Sequence, residues 1–401
     1  MIVAGDPSGD AHAAHLVKCL ALAIPDAQFQ LTNDPQPLTA PLAPRFFGAG
    51  GPKLAQAGVE LAFDLTRDAV IGPGDALRKL TLLKRRFDAL ARLALERQPD
   101  LIVLVDFGAF NWRLARTIRA RVRARRGPFF NWQPRIVQYI SPQVWASRPG
   151  RADKMAQDLD LLLCLLPFEK EWYARRVPRL NVQCVGHPMI DHYAHDLHWA
   201  GRGVTTEPPT IVILPGSRKR ELERHLPVML GAARIISQQQ RVQFKMVLDN
   251  DTLGAKAKGF RSAGMPRVEV QTGGLAQALG SATLAITKTG TITLECAYFG
   301  VPAVAIYKTS LSTYLLARCL TGVKFLAMPN LLANQTIYPE LIQHRATAEN
   351  IAASALDILI DPRRRTDLQA KLAAVIASLG GPGATARATA AIMKLMGRVW
   401  I

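Results

Sequence analysis

The sequence predicts an α/β protein built from two doubly wound, Rossmann-like domains that face a cleft. Short apolar segments alternate with amphipathic helical patterns through both halves of the 401 residues. The segment LIVLV, 101–105, is apolar at every position, as expected of a parallel strand covered on both faces. A polar stretch rich in Gly, Thr and Pro, 196–209, interrupts the alternation and predicts a linker.

The predicted domains are 1–195, 209–365 and a C-terminal helical segment, 366–401. Strands are expected at 1–4, 45–51, 101–105, 136–140, 159–166, 181–185, 211–214, 244–248, 268–270, 283–286 and 301–307. Residues 329–335 are expected to form a loop, and the chain is expected to be mostly helical from Thr347. The Gly-Gly-Pro-Gly segment at 380–383 divides a final helix pair.

Composition favours an anionic partner. The chain has 50 Lys and Arg against 31 Asp and Glu, a formal charge of +19. Such an imbalance suits a phosphorylated substrate, an acidic lipid surface or nucleic acid, although solvated helix faces also account for many of these side chains. The five cysteines have no metal-binding spacing, which favours a reducing compartment. No signal peptide or apolar run of about 20 residues is visible, so we expect a cytoplasmic protein.

The segment 283–307 predicts a β-α-β unit around the turn Lys288-Thr289-Gly290-Thr291. Its backbone N–H groups, hydroxyls and lysine favour anionic oxygens at a helix N-terminus. Glu295, one helical turn further on, can accept the two hydroxyls of a ribose. An ordinary capped turn with a solvated glutamate explains the same pattern.

Three further turns follow predicted strands. Gly216, Ser217 and Arg218 combine turn amides, a hydroxyl and a guanidinium, a set that suits a phosphate. Asp106 follows the apolar strand at its carboxyl end, where open α/β sheets bind ligands. The turn 5–10 offers Ser8 or an aspartate as a helix cap. Helix capping alone also explains Asp106, and the lone His187 is as consistent with a structural role.

No metal site is predicted. Asp158 and Asp160 form a DxD pattern, but they lead into an apolar strand. RNA-binding and zinc-finger signatures are also missing, so we expect no nucleic-acid partner.

Ten segments together resemble the lipid-A-disaccharide synthase family. They are AGDPSGD (4–10), FFGAGGPKLAQAG (46–58), VDFGAFN (105–111), YISPQVWAS (139–147), LPFEKEWY (166–173), VGHPMID (185–191), LPGSRKRELER (214–224), KTGTITLE (288–295), PNLLANQ (329–335) and GGPG (380–383). Each is weak alone, but ten in one order are specific.

The resemblance implies an inverting GT-B glycosyltransferase that uses no metal and no cofactor. It would transfer 2,3-diacylglucosamine from UDP to 2,3-diacylglucosamine 1-phosphate, releasing UDP and forming a β-1,6-linked disaccharide. On the donor side, the resemblance implies a ribose contact from Glu295 and a position near the nucleotide for Asn330. It also implies a diphosphate site formed by Gly216, Ser217, Arg218, Lys288, Thr289, Gly290 and Thr291. On the acceptor side, it implies that Asp106 is the base or orients the acceptor hydroxyl, and that Ser8 and Asp10 line the site.

The resemblance also implies that 1–195 binds the acceptor and that 209–365 binds the UDP-sugar. It implies a homodimer, with C-terminal helices that either pack back on their own chain or are exchanged, and a peripheral position on the inner membrane. An apolar face for acyl chains could come from Val70, Ile71, Leu77, Leu80, Leu82 and Leu83, although an amphipathic core helix explains these residues equally well. The chain departs from the family pattern at Asp6, Pro7, Ala109 and Ser147, all in the acceptor half. Another GT-B transferase or a UDP-sugar epimerase is therefore the alternative, and a non-enzymatic binder of RNA or acidic membrane is a second one.

Overall fold

A computed structural model describes residues 1–24, 45–68, 76–194, 207–260 and 264–397. Val70, Ile71 and most of the predicted linker lie outside the described residues, as does the side chain of Leu77. The chain divides into two compact units, 1–188 with 382–401 and 189–381. The predicted domain bounds and their roles stay predictions.

The first unit contains a parallel sheet of seven strands. These are β1 (Ile2–Ala4), β2 (Phe47–Gly50), β3 (Glu60–Asp64), β4 (Leu101–Val105), β5 (Arg135–Tyr139), β6 (Leu161–Cys164) and β7 (Val182–Cys184). Their order is β3-β2-β1-β4-β5-β6-β7. Val3 pairs with Ala49 on one side and Leu104 on the other. The order reverses between β1 and β4, so the carboxyl ends of these two strands form a topological switch point.

Helices flank this sheet. They are α1 (Pro7–Ala23), α2 (Pro52–Gln56), α3 (Leu65–Asp68), α4 (Ala76–Arg97), α5 (Gly108–Arg125), α6 (Val144–Ser147), α7 (Arg151–Asp158) and α8 (Pro167–Arg176), followed by α9 (Pro188–Tyr193), which leads into the second unit. The strand residues Val3, Ile102, Leu104 and Ile136 are fully buried in a core that also includes Leu90 and Leu114 from the helices. This burial explains the continuous apolar pattern of β4.

The second unit repeats the arrangement with six parallel strands. These are β8 (Thr210–Leu214), β9 (Gln243–Leu248), β10 (Val268–Thr272), β11 (Leu284–Lys288), β12 (Ala303–Tyr307) and β13 (Glu340–Ile342), in the order β10-β9-β8-β11-β12-β13. Its helices are α10 (Lys219–Gln239), α11 (Asp251–Lys258), α12 (Leu275–Gly280), α13 (Ile292–Tyr298), α14 (Leu311–Leu320), α15 (Met328–Ala333), α16 (Ala348–Ile360) and α17 (Pro362–Ser378). Here the switch point lies between β8 and β11.

The last helix, α18 (Ala384–Leu395), belongs to the first unit. It contacts α1, β5 and β6, and the guanidinium Nε of Arg387 donates to the carbonyl of Val185 at 2.8 Å. One of the two predicted arrangements, a C-terminal helix that packs back, is thus observed within one chain. Gly383, with a φ of +97°, begins the helix after the predicted break.

The predicted α/β class and its two parallel sheets are confirmed. Two strands were missed, β3 and β13. The expectation of a loop at 329–335 was wrong, since α15 covers most of this segment. Pro329 lies in the first turn of that helix, where its missing N–H costs no hydrogen bond. None of the described helices is long and apolar enough to cross a bilayer.

Candidate active site

The turn after β8 is held by a carboxylate that the sequence analysis did not single out. Gly216 has a φ of +123°, and a Cβ at this position would lie 2.4 Å from Glu221 Oε2. The backbone N–H of Ser217 donates to the same oxygen at 3.1 Å. Only glycine therefore fits here, because it accepts the left-handed backbone and leaves room for the carboxylate. The turn displays the exposed side chains of Ser217 and Arg218.

Glu221 also brings together the two predicted phosphate-binding cations. Lys288 Nζ, at the end of β11, lies 3.4 Å from Glu221 Oε1, and Arg218 Nη1 lies 3.9 Å from the same oxygen. The Arg218 side chain is 82% exposed, so its pairing contributes little free energy. Two cations from adjacent strand ends thus share one carboxylate. A diphosphate carries more negative charge than one carboxylate and can compete with Glu221 for both cations.

The second predicted turn runs from β11 into α13. Gly290 has a φ of +118°, and its carbonyl accepts the Thr293 hydroxyl at 2.6 Å. Thr293 in turn accepts the backbone N–H of Met328 at 3.0 Å. The structure buries Thr289 and exposes Thr291, so Thr291 is the hydroxyl of this turn that faces solvent.

Glu295 lies on α13, half-buried, and its Oε2 accepts the Tyr193 hydroxyl at 2.5 Å. Burial raises the pKa of Glu295, the Tyr193 hydrogen bond lowers it, and the Asp249 carboxylate raises it further. Asp249 follows β9, and its own pKa is raised by desolvation and by Glu221 and lowered by Lys288. These groups therefore form one electrostatic cluster at the carboxyl ends of β8, β9 and β11.

Asn330 lies deeper than predicted. It is fully buried, and its amide donates to the carbonyl of Tyr338 at 2.8 Å and to Glu340 at 2.9 Å. Its oxygen accepts the N–H groups of Ile337 and Tyr338. Glu340 also accepts the N–H of Ala327, which bridges to Gly290. The Asn330 side chain thus stabilises the segment beside the Gly290 turn. A nucleotide contact from this residue stays a prediction.

His225 hydrogen-bonds to the backbone on either side of it in space and stabilises the turn after β8. Its Nδ1 lies 2.8 Å from the carbonyl of Pro215, and its Nε2 accepts the N–H of Lys308 at 3.0 Å. Since Nε2 accepts, Nδ1 carries the proton and donates to the carbonyl. Burial lowers the pKa of His225, which keeps this neutral tautomer in place.

In the first unit, Asp106 ends β4 beside the end of β1. Both Asp106 and Phe107 have left-handed backbones, with φ of 48° and 45°. Each such residue costs about 1–3 kcal/mol and persists only when its surroundings hold it. The Asp106 carbonyl accepts Asn111 Nδ2 at 2.8 Å and Gln138 Nε2 at 3.1 Å. These two amides fix the backbone from which the carboxylate projects.

Gly5 leaves the space that this bend requires. A Cβ on Gly5 would lie 2.2 Å from the Phe107 ring, so the ring packs directly on the backbone of the β1 turn.

Asp106 is half-buried, and burial raises its pKa to about 6. The Asp6 carboxylate adds to the increase, while the N–H of Phe107 opposes it. Asp6 itself caps α1 by accepting the Gly9 N–H at 2.7 Å. A carboxylate whose ionised form is destabilised in this way is a stronger base than an ordinary aspartate.

Asp10 and Ser8 have different surroundings. Asp10 is 2% exposed, and its oxygens accept the N–H groups of Gly51, Lys53 and Leu54 at 2.7, 3.0 and 3.2 Å. Its carboxylate therefore joins α1 to the start of α2. Ser8 is exposed in the first turn of α1. The structure brings Asp6 and Asp106 together, whereas Asp10 is engaged with the loop after β2.

Within the described ranges, no group of three or more His, Cys, Asp or Glu side chains is placed to hold a metal ion. The Asp158-Asp160 pattern has a structural explanation. Asp160 Oδ2 accepts the guanidinium of Arg119 and, at 2.6 Å, the N–H of Ile136.

The two parallel α/β sheets give the chain a fold of the GT-B class. It superposes on a putative UDP-N-acetylglucosamine 2-epimerase from Listeria monocytogenes with a TM-score of 0.59 and 15% identity, covering 100% of this chain and 98% of the other. It also superposes on CalG4, the calicheamicin glycosyltransferase, with a TM-score of 0.54 and 16% identity, covering 99% and 97%. At these identities the likeness concerns the fold alone.

Sequence comparison identifies the family. The family model described as lipid-A-disaccharide synthetase matches residues 1–392, and the chain belongs to this family. It is 36% identical to the lipid-A-disaccharide synthase of Syntrophus aciditrophicus, over 99% of this chain and 97% of that protein. It is 33% identical to the synthase of Myxococcus xanthus, over 100% and 98%. The chain is therefore a glycosyltransferase of lipid A biosynthesis, and the alternative of another transferase or an epimerase is not favoured.

Proposed function

We propose that the protein transfers a 2,3-diacylglucosamine unit from UDP-2,3-diacylglucosamine to 2,3-diacylglucosamine 1-phosphate. The products are a β-1,6-linked disaccharide 1-phosphate and UDP. The observation that carries the proposal is the family match over nearly the whole chain, with both strand-end clusters lying inside it.

The second unit would bind the UDP part of the donor. Arg218 and Lys288 exchange Glu221 for the diphosphate, with Ser217, Thr291 and the backbone of Gly216, Thr289 and Gly290 completing the turn surfaces. Glu295 accepts the ribose hydroxyls. Support comes from the convergence of both cations on one carboxylate oxygen.

The first unit would supply the base. Asp106 removes the proton from the acceptor hydroxyl, whose oxygen attacks the anomeric carbon as the bond from that carbon to the β-phosphate oxygen breaks. The electron pair leaves with UDP, and the anomeric configuration inverts. A pKa of about 6 leaves Asp106 ionised at neutral pH yet more basic than usual, which suits this task. Ser8 would face the acceptor, and Asp10 would hold the loop beside it.

Negative charge grows on the β-phosphate as the donor bond breaks. Fixed cations aimed at such charge lower the barrier, and removing one donor of this kind typically costs about 100-fold in rate. Arg218 and Lys288 would perform the work that other transferases give to a divalent metal.

Mass spectrometry of the products tests the proposal. Purified protein is incubated with UDP-2,3-diacylglucosamine, with and without the monosaccharide phosphate. We expect the disaccharide phosphate only when both substrates are present. Net hydrolysis or epimerisation of the donor without a disaccharide would contradict the proposal and favour the alternative GT-B activity.

An anionic membrane surface would be a further partner, at the cytoplasmic side of the inner membrane. Support comes from the net charge of +19 and from α4, where Leu80 is 65% exposed and Lys84 and Arg85 are exposed. Each basic side chain near an anionic leaflet contributes about 1 kcal/mol. In a sedimentation assay, phosphatidylglycerol vesicles should bind the protein at low salt and release it at high salt. Equal binding to phosphatidylcholine vesicles would contradict an electrostatic attraction to the anionic lipid.

The homodimer also remains a proposal. Light scattering in detergent should give twice the 43.9 kDa mass of one chain. A single-chain mass across the accessible concentration range would exclude it.

A further inference from the structure

We infer that Tyr193 is a positioning residue for the ribose of the donor and that it sets the discrimination between ribonucleotide and deoxyribonucleotide. The inference rests on the proposed role of Glu295. Tyr193 lies 102 positions earlier in the chain, yet its hydroxyl donates to Glu295 Oε2 at 2.5 Å. Among the described residues, it is the one side chain for which a hydrogen bond to this carboxylate is observed.

The Tyr193 ring is itself held by the helix that carries Glu295. Tyr298 is the last residue of α13 and Phe299 is its C-cap, three and four residues after Glu295. The ring centroid of Tyr193 lies 5.6 Å from that of Tyr298 and 5.1 Å from that of Phe299. The Tyr298 hydroxyl donates to the Tyr193 carbonyl at 3.2 Å. Tyr193, which is 6% exposed, is thus fixed in both its main chain and its ring.

This contact decides where the remaining acceptor positions of the carboxylate point. An ionised carboxylate has about four lone-pair positions, and Tyr193 occupies one of them on Oε2. Oε1 and the outer side of Oε2 are then oriented to accept the 2′ and 3′ hydroxyls of a ribose. Without the tyrosine hydroxyl, the glutamate side chain can rotate, and the geometry for two hydroxyls at once is lost.

The hydrogen bond from Tyr193 also stabilises the negative charge of Glu295 against its surroundings. Asp249 faces Glu295 with a like charge, and the Cys296 thiol adjoins it in a fully buried position. The tyrosine hydrogen bond opposes both desolvation and the Asp249 charge, and it favours the ionised carboxylate that two hydroxyl donors require.

The test compares UDP with 2′-deoxy-UDP by isothermal titration calorimetry. We expect the parent protein to bind UDP about tenfold more tightly than the deoxy compound, since a hydrogen bond to a charged acceptor has that value. In Tyr193→Phe the preference should fall to about twofold or less, with weaker UDP binding. A preference that stays at the parent value in a folded Tyr193→Phe protein overturns the inference.

Two variants separate this result from other causes. Tyr338→Phe removes a comparable buried hydroxyl, which donates to the Val301 carbonyl at 2.8 Å, and it should leave the preference unchanged. Glu295→Gln tests the proposed function itself. If Glu295→Gln keeps the parent preference, the ribose assignment fails; if it abolishes the preference while Tyr193→Phe retains it, only the role of Tyr193 fails.

A measurement on the parent protein covers the case in which Tyr193→Phe does not fold. In a crystal structure with UDP, the Tyr193 hydroxyl should stay within hydrogen-bond distance of Glu295 while a ribose hydroxyl contacts the other carboxylate oxygen. A tyrosine displaced from the carboxylate by the nucleotide would overturn the inference.

Discussion

At the end of β4 a carboxylate stands beside another carboxylate, whereas at the ends of β8 and β11 two cations share one carboxylate. Burial and Asp6 disfavour the charge on Asp106. Glu221, in contrast, neutralises part of the charge on Lys288 and Arg218. The first arrangement makes proton uptake favourable, and the second keeps cations available for exchange. We propose that the same type of switch point serves acid–base chemistry in one unit and anion binding in the other.

The largest effect is expected at the carboxylate of the first unit. Asp106→Asn removes the proton acceptor while keeping size and polarity, and kcat should fall by about 10²–10⁴ with UDP binding unchanged. Asp100→Asn, which alters an exposed aspartate before the amino end of the same strand, is the control and should keep the parent rate. Parent-like turnover of Asp106→Asn across the pH range would remove this residue from the chemistry.

The second effect concerns the exposed cation of the second unit. Arg218→Ala should cost about 100-fold in kcat/KM, or about 3 kcal/mol, because it removes a charged contact that strengthens as the donor bond breaks. Arg234→Ala, exposed farther along the same helix, should cost almost nothing. Equal rates for the two variants would show that Arg218 does not face the diphosphate.

The carboxylate between the cations should give a smaller effect that depends on the replacement. Glu221→Ala removes the acceptor of the Ser217 N–H and loosens the turn, so UDP binding should weaken about tenfold. Glu221→Gln keeps an oxygen acceptor, and its affinity should stay within about threefold of the parent. Calorimetry distinguishes the two, and equal losses would mean that the negative charge, rather than the hydrogen bond, organises the turn.

The smallest effect is a displacement of the pH profile. Asp106 must be ionised to act, so activity should fall as the pH drops through about 6. Asp6→Asn keeps an oxygen that caps α1 but removes the neighbouring charge, which lowers the pKa of Asp106 and moves the acid limb to lower pH. The limb should stay above that of an ordinary aspartate, because burial is the larger cause. An unmoved limb would show that Asp6 does not influence the titrating group.

Local pattern was sufficient for most of the fold. Apolar segments located β4, β8 and β11, and the glycine-proline segment 380–383 marked the end of α17. The strand β3 escaped because its five residues are half-buried or exposed and do not form an apolar run. The strand β13 has only three residues. Residues 329–335 were misjudged because asparagine and proline, typical of loops, here begin and brace a short helix.

The candidate site was predicted less completely. Strand-end motifs identified Asp106, Arg218 and Lys288, since the carboxyl ends of parallel strands meet at one edge. The groups that orient them were missed because their contacts are distant in sequence. Glu221 meets Lys288 across 67 residues and Tyr193 meets Glu295 across 102. Asn330, in contrast, was predicted as a nucleotide neighbour, but its side chain is buried and hydrogen-bonded to the backbone of Ile337 and Tyr338. No local sequence pattern reveals these partners.

The proposed mechanism depends most on Arg218 and Lys288, which would hold the diphosphate of UDP in place of a divalent metal ion. Calorimetric titration of the protein with UDP, once in EDTA and once with Mg²⁺, measures this directly, and Lys288→Ala with Arg218→Ala provides the comparison. We expect equal affinity in both buffers and a loss of at least about tenfold in the double variant. Binding that requires Mg²⁺, or that survives the loss of both cations, would contradict the account.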